Sequence, residues 1–133
     1  MNARLFRFGI NLWPPFLFTG IHVTRITPDY RQIDVELRLR PWNRNYVGTH
    51  FGGSLFAMTD PFWMLLVLHQ LGRDHYVWDK AAEIEFVKPG RGTVWTRFDL
   101  DDDVDDASTS PPEPDTPRAV SYTHLTLPTI LLV

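Results

Sequence analysis

Residues 54–71 read SLFAMTDPFWMLLVLHQL. Apolar side chains run nearly all round this stretch when it is wound as a helix, and such a helix must be buried on most sides. Gly72 supplies a C-terminal stop. Working outward, IHVTRITPDYRQIDVELRLR (21–40) holds two half-buried strands. Ile21, Val23 and Arg25 alternate with His22 and Thr24, and Ile33, Val35, Leu37 and Leu39 alternate with Asp34, Glu36 and Arg38, around a Pro28–Asp29 turn. PWNRNYVGTHFGG (41–53) reads as a loop. Two more strand signals follow the helix, YVWDKAAEIEFV (76–87) and, after Lys88-Pro89-Gly90, GTVWTRFDL (92–100). Residues 2–12 read as a short helix with Leu5, Phe8 and Leu12 at three- and four-residue spacing, stopped by Pro14-Pro15. A hydrophobic helix between antiparallel strand pairs predicts an α+β fold, a sheet wrapped around a central helix. Four strands cover such a helix poorly, so further strands or a partner are expected to complete it.

The chain has 133 residues, with 44% apolar, 22% charged and no cysteine. That excludes disulfide scaffolds, thiolate nucleophiles and cysteine-based zinc sites. The net charge of -3 gives no general reason to expect nucleic acid. Its distribution is uneven: residues 1–100 carry a net of +3, and residues 101–133 carry Arg118 against 7 acids. DDDVDDASTSPPEPDTP (101–117) has the composition of disorder. The closing SYTHLTLPTILLV (121–133) resembles adaptor nucleotides translated as protein, with a C-terminal docking peptide as the alternative. The expected organisation is therefore one domain over 1–100 and a non-native acidic, proline-rich tail over 101–133. LFRFGINLWPPFLF (5–18) is interrupted by Arg7 and the proline pair, and the longest apolar run, Phe62 to Leu68, is seven residues. That falls far below the roughly 20 needed to span a bilayer. No integral membrane association and a cytoplasmic location are the expectations.

Residues 45–60, NYVGTHFGGSLFAMTD, resemble the N-x-x-G-T-x-H-G-G-x-L-x-A-x-x-D signature of hotdog-fold acyl-thioesterases of the PaaI type. WPP upstream and VWDK…IEFVKPGRG downstream look closer to a hotdog branch called domain of unknown function 4442. The resemblance covers about residues 5–100. It implies a hotdog fold that ends short of the family's last strands, as a truncated reading frame would. It also implies hydrolysis of acyl-CoA or acyl-carrier-protein thioesters at the interface of a homodimer or dimer of dimers. No cofactor is implied beyond coenzyme A as part of the substrate, and no metal.

Such chemistry must polarise a carbonyl, activate water and exclude solvent. Gly52 and Gly53 stand where a loop enters the helix; their N–H groups are unpaired by the helix and suit an oxyanion, or the glycines simply permit a tight turn. Asp60, two turns beyond Gly53, matches the family's general base or nucleophile. It equally reads as the cap of a second helix segment, since Pro61 inside one continuous helix costs about 3 kcal/mol and frees the Ala57 carbonyl. Asn45 matches the loop asparagine that orients water or thioester, although loop asparagines also make turns. Thr49, His50 and Phe51 are the adjoining substrate-binding candidates. Aligning the glycines puts Phe51 at the family's histidine, with His50 one residue early, which points to altered chemistry or an acyl pocket. Asp79 and Lys80 match the stretch that completes PaaI-type sites from the facing subunit, or form a salt-bridged strand end. Lys88, Arg91 and Arg97 could attract a phosphate or protect a strand edge. His22, His69 and His75 lack metal-ligand spacing, and His69 reads as a satisfied core histidine.

Two rival functions remain: a hotdog module that binds an acyl chain or thioester without turnover, and a peripheral lipid-surface protein using the Phe- and Trp-rich N-terminus.

Overall fold

The structure is a computed structural model that describes residues 2–72, 76–77, 82–100 and 131–132. The architecture is α+β: one antiparallel sheet with helices packed on one face and along one edge. In chain order the elements are α1 (Ala3–Leu12), α2 (Pro14–Thr19), β1 (Ile21–Ile26), β2 (Gln32–Arg38), α3 (Gly52–Ala57), α4 (Phe62–Leu71), β3 (Thr93–Asp99) and the two-residue β4 (Leu131–Leu132). The strands lie in the order β1-β2-β3-β4.

Sheet register explains which side chains meet the core. Ile33 faces Phe98, Val35 faces Thr96 and Leu37 faces Val94, all six buried. Between β1 and β2 the ladder carries a bulge. Val23 pairs with Val35 and Arg25 with Asp34, so Thr24 is unopposed. The extra residue resets the alternation, bringing Ile26 opposite Ile33 and packing it on the core. Arg25, expected inward with Ile21 and Val23, lies exposed instead. The outer face of the sheet is polar: Arg97 pairs with Asp34 at 2.6 Å and Arg38 with Glu36 at 2.5 Å.

The β1–β2 turn holds buried Tyr30 at φ 54, a left-handed conformation rare for an aromatic residue. Packing fixes it there, with its ring stacked on His69 of α4 at 3.7 Å between centroids. His69 also binds the Leu65 carbonyl through Nδ1 at 2.7 Å. In the same turn, the Thr27 hydroxyl and the Arg31 N–H hold the Asp29 carboxyl below its ordinary pKa of 3.8.

The helices begin and end for local reasons. Asn2 caps α1 by accepting from the Arg4 N–H at 2.9 Å. Pro14 and Pro15 do not merely stop α1. They occupy the first turn of α2, where an N–H would have no intrahelical partner, and Gly20 at φ 86 closes that helix. The single helix expected over 54–71 is split. Pro61 has no N–H to offer Ala57, and the chain turns through 58–61, the Thr59 hydroxyl donating to the Phe56 carbonyl at 2.8 Å. Gly72 ends α4 as expected.

α3 and α4 bring Leu55, Met58, Phe62, Leu66 and Val67 onto the apolar sheet face. Phe62 joins three elements, its ring 5.6 Å from Phe16 of α2 and 5.0 Å from Phe98 of β3. Burying each such side chain is worth about 1.5–3 kcal/mol. Trp63, its ring edge-on to Phe98 at 5.6 Å, and Leu65 pack on the rim of the core, and like Met64 and Leu68 they are half-buried.

The strand expected over 76–87 does not form at 82–87, which pairs with no strand. β3 already lies between β2 and β4, and Val77 and Ile84 instead cover the core as irregular chain. The other sheet edge is closed differently. The Asn11 amide of α1 donates to the Val23 carbonyl at 3.0 Å and accepts from the Val23 N–H at 2.7 Å, while Arg7 donates to the Thr24 carbonyl at 2.6 Å. Side chains thus occupy backbone groups that an edge strand would leave open. Among the described residues, no helix is long and apolar enough to cross a membrane.

Candidate functional site

The loop from 41 to 51 is held by two asparagines that do opposite jobs. Asn43, buried, ties the loop to the body: its Oδ1 accepts from Arg40 N–H at 2.7 Å, and its Nδ2 donates to the Thr19 and Arg38 carbonyls at 3.0 and 2.8 Å. Asn45 ties the loop to itself. Its Oδ1 accepts from the N–H groups of Val47 and Thr49, and its Nδ2 donates to the Thr49 hydroxyl at 2.8 Å and the His50 carbonyl at 3.3 Å. Both ends of the Asn45 amide are therefore engaged within the loop, the arrangement of an Asx turn. Thr49 is buried with it.

His50 is also buried, and it points away from solvent. Its Nε2 binds the Gly92 carbonyl at 2.6 Å and its backbone N–H donates to the Gly90 carbonyl at 3.0 Å. It pins the loop to the segment that leads into β3. With Nε2 as donor, Nδ1 is the acceptor, buried and without a hydrogen-bond partner among the described residues.

Phe51, the residue after this anchor, is 57% exposed. Its ring lies over the first turn of α3: a β-carbon on Gly53 would stand 2.5 Å from Phe51 Cε1. Phe86 approaches the same turn from the other chain segment, 3.0 Å from where a Gly52 β-carbon would be. Both glycines admit an aromatic ring onto bare backbone.

Between α2 and α3 runs a groove made of two adjoining clefts. One, of about 450 Å³, is lined by Phe18, Trp42, Arg44, Phe51, Gly53 and Ser54 among others. The second, of about 320 Å³, is lined by Trp13, Pro15, Phe16, Phe56, Asp60 and Pro61. They share Thr19, Gly53 and Ala57, so they lie side by side. Arg44 stands at one end and Asp60 at the other, with apolar walls between. Asp60 is exposed, and its side chain makes no cap hydrogen bond to α4, whose N-cap is Pro61.

The structure therefore brings Asp60, Gly53 and Phe51 to one groove. Asn45, Thr49 and His50 lie behind it as the loop's framework, and Gly52 meets Phe86. Asp79 and Lys80 lie outside the described residues. Sequence reasoning missed α2 as a wall, although a proline pair is also a signal for a helix start. It missed Asn43 too, whose role depends on carbonyls 5 and 24 residues away. No group of three or more His, Asp or Glu side chains able to hold a metal ion occurs among the described residues.

No curated protein and no solved structure matches the chain. The family described as domain of unknown function (DUF4442) matches over residues 2–123, nearly the whole length, and the chain belongs to that family.

Proposed function

We propose that this chain is a hotdog-type domain whose α2–α3 groove takes an acyl thioester, of coenzyme A or acyl-carrier protein, and hydrolyses it. The observation that carries this reading is that Asp60 and Gly53 line the same cleft. The apolar walls suit an acyl chain. Asp60, open to solvent at the cleft's end, activates or positions water, and backbone N–H groups at Gly52 and Gly53 receive the carbonyl oxygen. Asn45, Thr49 and His50 act as positioning residues that fix the loop. The resemblance in residues 45–60 adds a site shared between two copies of a cytoplasmic homodimer or dimer of dimers, with Asp79 or Lys80 reaching in from the second copy.

A second reading has its own observation: the Phe51 ring covers Gly53. It favours binding of an acyl group without turnover, with Phe51 as part of the pocket. A thiol-release assay over acyl-CoA chain lengths separates the two. Hydrolysis predicts turnover that falls by about 10²–10⁴ in Asp60→Ala and Asp60→Asn while both stay folded. Saturable acyl-CoA binding with no turnover, unchanged by Phe51→His, establishes the binding module. Neither turnover nor binding removes both readings.

A further inference from the structure

We infer that α1 is a docking surface for an anionic lipid bilayer, on which the protein rests without crossing it. The helix is apolar on two sides. Phe6 and Ile10 face inward, Phe6 against Tyr30 and His69 and Ile10 against the core. Leu5, Phe8 and Leu12 form a second stripe at three- and four-residue spacing, and none of the described residues covers it: they are 65%, 64% and 53% exposed. A helix apolar on both sides is expected to be covered on both. The stripe continues through Trp13 and Leu17 into Phe18 of α2, all exposed, and Phe18 adjoins exposed Trp42 across the groove.

Charge decides what covers this face. Residues 1–28 and 37–59 contain no acid. They do present exposed Arg4, Arg7, Arg40 and Arg44. Asp34 and Glu36, by contrast, stand on the outer face of the sheet, paired with Arg97 and Arg38. A two-fold contact between copies would set this surface against itself, arginine facing arginine, and among the described residues the exposed acid that adjoins it, Asp60 in the cleft that Trp13 also lines, is outnumbered by the four arginines. Anionic headgroups neutralise the arginines while the Leu and Phe side chains enter the acyl boundary, with Trp at the interface. The groove opens beside the same face, but the inference does not depend on what the groove binds.

The test is sedimentation of the full chain with vesicles of phosphatidylcholine alone or mixed with phosphatidylglycerol, followed also by tryptophan emission. Binding to the mixed vesicles, weak on the neutral ones, reversed by salt and accompanied by a blue shift, is the expected result. Arg4→Gln lowers partitioning about fivefold, and Leu5→Ser with Phe8→Ser lowers it roughly a hundredfold or more. These positions are exposed, and circular dichroism confirms that each variant is folded. Failure to bind mixed vesicles at low salt overturns the inference, as does wild-type binding by the double variant. A vesicle-free self-association that the double variant abolishes also overturns it, and assigns the face to a second copy.

Discussion

The Phe51 ring rests on Gly53 so closely that a β-carbon there would lie 2.5 Å from Cε1. Because Phe51 is largely exposed, the ring can swing into solvent when a methyl group arrives. Gly53→Ala should therefore keep the thermal midpoint within a few degrees of wild type, with better helix propensity offsetting the lost contact. It should change acyl-thioester binding, since the groove wall moves. Gly20→Ala is the contrasting case. Its φ is 86, and its β-carbon would meet Asn43 Nδ2 at 2.8 Å, an atom held by two hydrogen bonds. That change should cost more than about 1 kcal/mol by urea unfolding.

Asn43→Ala removes three hydrogen bonds at once and leaves the Thr19 and Arg38 carbonyls without that donor. A loss of about 2–4 kcal/mol is expected from the urea midpoint. Acyl-thioester binding should weaken as well, because Asn43 lines the groove and joins α2 to the loop. An unchanged midpoint would contradict the role assigned to it.

Thr96 sits in the core opposite Val35, fully buried, with its hydroxyl unpartnered among the described residues. Thr96→Val keeps the shape and removes the stranded group. It should stabilise the fold by about 1 kcal/mol, read as a higher denaturation midpoint with unchanged slope.

Asp29 gives a pH signature. Its folded-state pKa lies below 3.8, through the Thr27 hydroxyl first and the Arg31 N–H second. The unfolded chain therefore binds the proton more readily, and the carboxylate's contribution is present above pH 3.8 and lost as pH falls through the folded value. At an exposed turn that contribution is under about 1 kcal/mol. Urea unfolding across pH should show Asp29→Asn less stable than wild type at neutral pH, and the two curves converging in acid.

Periodicity carried the parts of the fold that depend on neighbours in sequence. Leu5 and Phe8 marked α1, and the alternation from Ile33 to Leu37 marked β2. It failed where one residue changes the phase: the unopposed Thr24 resets β1 and turns Arg25 outward. Pro14-Pro15 carried two meanings, and composition does not say which of them the chain uses. Residues 82–87 have strand-like composition, but a strand also needs an edge to join, and that is a property of the whole sheet. In the site, Gly53 and Phe51 were legible because a loop entering a helix presents them to one side, whereas Asp60 lines the groove from the turn between α3 and α4 and not by the two-turn spacing of one continuous helix. His50 was not, since its partner Gly92 is 42 residues away.

Asn11 bears on how copies of the chain can combine. With its amide standing in for a strand at Val23, the sheet is closed at β1, and among the described residues its open edge lies on the β4 side. Two chains joining by that edge would use up the one open edge that the described residues of each present, and those residues would offer no other to a third. Assembly through the sheet therefore terminates at a pair, whereas a chain without Asn11 would present two open ends and could propagate as a filament.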